Sequence, residues 1–265
     1  MRVTFDTNTL DRVARPERYL SEACGADYIR VHDALRAGRL KGYFSETLVT
    51  LEGVGREDRV PVFGSTRVVS DSRQTGENVI GITIGLKQDR TPLHPKFSES
   101  VRAAQSIGMR ALRGPARMVV GFSWKDDDRS FYEQVEPIEG LVRRREIASE
   151  VAAAIEIRGL GRAKGLSLGL EFSKRDGAAG ELWLQGLSRA RASERKKVAR
   201  AIAEWADGDS IAAHVGYGND FFCTHDQGKG VGGPLTFDAV NRAWLTTTFG
   251  VSFVTLSELA ARVEL

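Results

Sequence analysis

MRVTFDTNTL, residues 1–10, is the stretch from which the fold is read. Val3 and Phe5 alternate with polar neighbours and the run ends at Asp6, the pattern of a short strand with an acid at its carboxyl end. Helical spacing follows. Pro16 opens a segment around Tyr19, Leu20 and Ala23, and after Gly25 the residues Tyr28, Val31, His32 and Leu35 recur at a near-helical period. LKGYF (40–44) reads as a second strand, and Ser45 as the cap of a helix that carries Leu48, Leu51 and Glu52.

The other end of the chain repeats this grammar. Ser193 caps a helix with Val198, Ile202 and Trp205 on one face, and Asp207 or Asp209 caps the next. DFFCT (220–224) is a strand leading into His225 and Asp226; a helix spans roughly 237–245, and VSFVT (251–255) is a last strand. Thr255 and Glu258 form a T-x-x-E capping box for a final helix with Leu256, Leu259, Ala260 and Val263 on its core face. Strands alternating with helices predict an α/β fold: a parallel sheet with helices on both faces, built from residues 1–55 and 190–265. Between these ends, Ile80, Ile82, Ile84 and Leu86 alternate strictly, as do Met118, Val120, Phe122 and Trp124, with Phe97, Val101, Ala104 and Ala111 suited to a helix between them. Residues 56–136 therefore read as an α+β insertion outside the sheet, and 137–189 as a helical, glycine-rich connection.

At 265 residues, with 42% hydrophobic and 28% charged side chains, the chain can bury a large core and does not have the composition of a disordered segment. No apolar run is long enough to span a membrane, and the N-terminus lacks the apolar stretch of a secretory signal, so a cytoplasmic protein is expected. Cys24 and Cys223 are expected as reduced thiols, with Cys223 buried, and the four histidines show no zinc spacing. A net charge of +3 is too mild to identify a polyanion partner by itself.

In an open parallel sheet, ligands bind beyond the carboxyl ends of the strands. Asp6 and Asp226 follow strands, Glu52 lies in the helix after the second strand, and Asp209 stands in an expected first helical turn. Four carboxylates converging there suit a hard divalent cation, which prefers oxygen ligands. Taken singly, Asp6 also fits an Asx-turn, Asp209 an N-cap and Glu52 a solvated helix position.

FDTNTL, SETLVTLE, DSIAAH and FFCTHD, in this order, resemble the motifs of PIN-domain nucleases. The likeness covers roughly the first 55 and last 75 residues, and the long section between Glu52 and Asp209 departs from compact members. By that resemblance Asp6, Glu52, Asp209 and Asp226 match the metal-binding acids, with Asn8 and Thr224 as the polar neighbours that support them. Glu46 competes for the second acid position; Glu52 is preferred because the family acid lies well inside the helix. The resemblance implies a ribonuclease using Mg2+ or Mn2+, and relatives that are dimeric or held by a small inhibitory protein.

Two other patterns compete. Gly228, Gly230 and Gly233 spell a dinucleotide fingerprint, but no acid stands at the end of the next strand to bind a ribose. DTNTL with GDS (208–210) is similar to haloacid dehalogenase phosphatases, which would form an aspartyl-phosphate on Asp6; here Asn8 stands where their second aspartate is needed. A binding or scaffold module on a PIN-like fold is a further alternative. For substrate binding, Arg195, Lys196, Lys197 and Arg200 lie close in sequence to Asp209 and form an expected rail for RNA phosphates; Arg143, Arg144 and Arg145 are a second basic run. The acidic run 126–128 reads as a solvated turn.

Overall fold

A computed structural model describes residues 1–77, 79–89, 93–115, 130–178, 180–228 and 233–263. The strands are Arg2–Phe5 (β1), Lys41–Ser45 (β2), Arg67–Gly76 (β3), Val79–Lys87 (β4), Arg110–Leu112 (β5), Phe221–Cys223 (β6) and Phe253–Val254 (β7). Five of them make one parallel sheet in the order β5-β2-β1-β6-β7, while β3 and β4 form a separate antiparallel hairpin. Val3 lies level with Gly42 on one side and with Phe221 on the other. The helices are Thr7–Ala14 (α1), Gly25–Arg36 (α2), Arg59–Gly64 (α3), Pro95–Ser106 (α4), Ile138–Ile157 (α5), Arg162–Arg175 (α6), Trp183–Gly186 (α7), Arg195–Tyr217 (α8), Ala239–Phe249 (α9) and Leu256–Val263 (α10).

Alternation along the strands divides the core into two layers. Val3, Phe5, Phe44, Ala111, Cys223 and Val254 pack against α1, α2, α4 and α10. Tyr43, Leu112 and Phe222 pack on the opposite side, against α8 and, for Phe222, also α5 and α9. Each buried phenylalanine contributes roughly 1.5–3 kcal/mol, which outweighs any local preference of these very short strands. A further cluster away from the sheet joins Phe63 of α3, Phe172 of α6, Leu184 of α7 and Trp205 of α8.

The chain leaves β1 towards β2 and then β5, and returns through α8 to β6 on the other side of β1. Direction reverses between β1 and β6, so their carboxyl ends open the crevice that such sheets use for ligands. Among the described residues no helix is long and apolar enough to cross a membrane. Cys24 and Cys223 are both free, Cys223 buried within β6.

The section 56–136 is not wholly outside the sheet. Its segment 110–112 is the edge strand β5, paired in register with β2 from Tyr43↔Arg110 to Ser45↔Leu112. Ala111 thus belongs to a strand and not to the helix of Phe97, Val101 and Ala104. Residues 118–124 and 126–128 lie outside the described residues. The predicted break near Asp207 is also absent, because α8 runs unbroken from Arg195 to Tyr217. Gly208 marks a close approach, not an end: a Cβ there would stand 3.0 Å from the Gly161 Cα. Glycine in α6 acts similarly, since a Cβ at Gly169 would fall 1.9 Å from the Trp183 carbonyl oxygen. Pro16 begins only a single 3-10 turn, Pro16–Tyr19. The capping box holds: Glu258 Oε2 accepts from the Thr255 N–H at 2.7 Å, and Thr255 Oγ1 from the Glu258 N–H at 3.2 Å.

Candidate active site

Asp6 ends β1 and caps α1, and its carboxylate is contacted by the first turn of α1 and by the residue that follows β6. Oδ1 accepts from the Thr7 N–H at 2.8 Å; Oδ2 accepts from Thr224 Oγ1 at 2.6 Å and from the Asn8 amide. Asn8 in turn accepts from the His225 N–H at 3.0 Å, and Thr224 Oγ1 from the Asp226 N–H at 3.0 Å. The ends of β1 and β6 are therefore tied together through Asp6, although they are 218 residues apart in the chain.

Glu52 reaches the same place from the other side. Ser45, at the end of β2, accepts from the Thr47 N–H at 3.2 Å, and the chain then makes a π-helical turn, Leu48–Glu52. The Glu52 carboxylate accepts a short hydrogen bond from the Thr7 hydroxyl. Beneath it the buried Arg59 donates to the carbonyls of Val54, Ala199 and Glu52, clamping this turn to α8. Glu46, the rival acid, is bound elsewhere: it accepts from the Gly114 N–H at 2.6 Å, beyond β5.

The third acid is Asp207, not Asp209. A cavity of about 430 Å3 is lined by Asp6, Glu52, Asp207 and Asp226, together with Thr7 and Asn8. Asp209 is buried on the other side of α8, where its carboxylate accepts from Trp205 Nε1 at 2.9 Å. Helix periodicity separates the two. Val198, Ile202, Trp205 and Asp209 follow one stripe of α8, the core stripe; Lys196, Arg200, Ala203 and Asp207 follow another, which faces the cavity and the cleft beside it. That second stripe is present in the sequence, but it is visible only if the helix is read straight through Gly208.

Burial pushes the Asp6 carboxyl up to about 6, against the pull of its hydrogen bonds and with help from the Asp226 charge. Burial and then the charge of Asp6 push Glu52 up to about 7. Asp207 is raised well above its ordinary range by burial, followed by repulsion from Asp6, Glu52, Glu204 and Asp226. Asp226 itself is exposed at the rim, with its Oδ1 accepting from the Gly228 N–H at 2.7 Å. Crowded carboxylates of this kind fit a hard divalent cation, since positive charge would relieve their repulsion. Among the described residues no three His, Cys, Asp or Glu side chains are grouped as ligands of one ion. Magnesium is commonly bound by one or two carboxylates with several waters retained, and not by an all-protein cage.

Of the expected RNA-contacting residues, Lys196 and Arg200 line a cleft of about 890 Å3 that shares Thr7, Glu52, Arg56, Lys96 and Phe97 with the acidic cavity and is also lined by His94. Arg195 and Lys197 do not line it, and Lys197 lies 3.7 Å from Glu171. Sequence reasoning missed Arg56 and Lys96. The run 143–145 is largely structural, Arg144 donating to the Tyr217 carbonyl at 2.7 Å and Arg145 to the carbonyls of Gly114 and Pro115. Gly230 lies outside the described residues, and Gly228 packs against Asp238 at the head of α9. No protein-family model, curated protein or solved structure matches this chain.

Proposed function

We propose that the chain is a metal-dependent ribonuclease that hydrolyses phosphodiester bonds at the Asp6–Glu52–Asp207 cavity. The observation that carries this reading is the junction of two chemistries on one helix stripe. Asp207 stands at the acidic cavity, and Lys196 and Arg200 stand about two to three turns earlier, in the adjoining cleft. Phosphate recognition and carboxylate-held metal are the two requirements of this hydrolysis. A magnesium or manganese ion held there would supply positive charge for the phosphate oxygens as charge develops on them.

This chain's own residues set the stage. One or two of the acids Asp6, Glu52 and Asp207 would hold the metal; Asn8 and Thr224 fix the Asp6 carboxylate, and Thr7 fixes Glu52. Asp226, at the rim, is placed to orient water. Lys196, Arg200, Arg56 and Lys96 would hold the phosphates of the substrate strand. The phosphatase alternative loses support because the Asn8 amide donates to Asp6 and cannot act as an acid. A scaffold module would leave the buried, mutually repelling carboxylates without a role.

The test is cleavage of a labelled single-stranded RNA by the purified chain, with and without Mg2+ or Mn2+, beside Asp6→Asn. Metal-dependent cleavage lost in the variant supports the reading. Equal cleavage by both proteins, or none by the parent with either metal, overturns it.

A further inference from the structure

The β3–β4 hairpin projects from the body with nearly all of its residues exposed or half-exposed. Ile80, Ile82 and Ile84 are 68%, 67% and 66% exposed, and Val68 and Val79 are also uncovered. A two-stranded hairpin in water is marginal on its own, and an apolar strand with a free edge invites another strand. Both conditions hold here, since β4 pairs with β3 alone among the described residues.

The two edges differ. β3 carries Asp71 and Arg73, which pair with each other at 3.0 Å, whereas β4 reads VIGITIGLK and bears no charge before Lys87. Edge strands are usually protected by charge, proline or a bulge, and Val79–Leu86 has no charge or proline. Beyond its ends the charges are opposite: Glu77 precedes β4 at the hairpin tip and Lys87 closes it at the base, equally far along the chain from Ile82.

We propose that a second copy of this chain pairs with the first through the outer edge of β4, antiparallel, about a two-fold axis at Ile82. In that register Ile82 faces its own copy, Ile80 faces the partner's Ile84, and Glu77 meets the partner's Lys87 at both ends. Side chains directly opposite in an antiparallel pair share a face, so the isoleucines form one apolar strip and the opposed charges lie together on the other face. The contact closes on itself, because the outer edge of β3 carries Asp71 and Arg73. A nucleic acid finds no cation along β4 before Lys87. A membrane would meet the Glu77 carboxylate at the tip first.

The experiment is sedimentation velocity on the full chain across a concentration series, with charge and cross-linking variants. The parent is expected to be a dimer. Glu77→Lys alone should weaken it several-fold, and Glu77→Lys combined with Lys87→Glu should restore it. Ile82→Lys should give a monomer with unchanged far-UV circular dichroism, since the Ile82 side chain lies outside the core. In a Cys24→Ser background, Ile82→Cys should cross-link under mild oxidation and Ser72→Cys on β3 should not. A parent that stays monomeric at all concentrations, whether or not it floats with neutral phospholipid vesicles, overturns the proposal. So does a dimer that Ile82→Lys leaves intact.

Discussion

The Trp205 indole N–H donates to the Asp209 carboxylate at 2.9 Å, one turn further along α8, and so turns Asp209 into the core while Asp207 faces the cavity. The two acids should separate cleanly by mutation. Asp207→Asn is expected to abolish metal-dependent cleavage with the fold intact. Asp209→Ala leaves a buried donor unpaired, so it should cost about 1–3 kcal/mol in urea unfolding while the folded fraction keeps cleaving. Activity surviving in Asp207→Asn would remove that residue from the site.

Stability without metal should depend on pH through Glu52 and Asp6. Burial raises them from 4.5 to about 7 and from 3.8 to about 6, so the folded chain holds these protons more tightly than the unfolded chain does. The stability they allow is fully present below about pH 4 and is lost as pH rises to about 7. Glu52→Gln should therefore stabilise the metal-free protein at pH 8 by on the order of 3 kcal/mol and have little effect near pH 4. Chemical denaturation at the two pH values measures this, and Mn2+ should narrow the gap by favouring the carboxylate.

His214 has the opposite sign. Buried on α8 with its Nδ1 3.0 Å from Thr4 Oγ1, it is lowered from 6.5 to about 4 because burial disfavours the cation. The unfolded chain takes up a proton that the folded chain refuses, so stability falls as pH drops from about 6.5 to about 4, by about 3 kcal/mol. His214→Gln should flatten that fall relative to the parent. An unchanged slope would mean that the buried imidazole accepts its proton without penalty.

The basic stripe on α8 divides the lysines and arginines that stand together in the sequence. Lys196→Gln with Arg200→Gln should weaken single-stranded RNA binding and lower its salt slope by roughly 0.7 for each phosphate that is no longer neutralised. Arg195→Gln with Lys197→Gln should change both far less, since neither residue lines the cleft. Equal effects from the two pairs, measured by fluorescence anisotropy at several salt concentrations, would make the whole helix a diffuse electrostatic surface.

What can be read from the sequence follows the range of the forces involved. Strand alternation at Val3 and Phe5 and the capping chemistry of Thr255 and Glu258 are local, and the structure repeats them. Asp6, Asn8, Glu52 and Thr224 meet as the motif order suggests, because each lies at or just past the end of a strand or its following turn. The third acid is misread because Asp207 and Asp209 look like caps of a new helix, and only the approach of Gly161 from a distant segment explains the Gly208 between them inside α8. β5 is hidden for a related reason: three residues carry too little pattern to distinguish a strand from the end of a helix, and pairing with β2 decides the matter. Arg56 and Lys96 reach the cleft from a loop and from the first turn of α4, where no periodicity announces them.

The bond from Thr224 to Asp6 also constrains when the site can exist. Its partners are 218 residues apart, and α8, which carries Asp207, precedes β6 by only a few residues. During synthesis from the N-terminus, the first strand would emerge with Asp6 long before the strand that fixes that acid is made. Closing so large a loop is slow and entropically costly, and no shorter nascent fragment contains the full constellation. If the chain has the proposed ribonuclease activity, late assembly of this kind would keep the growing polypeptide inert beside its own message.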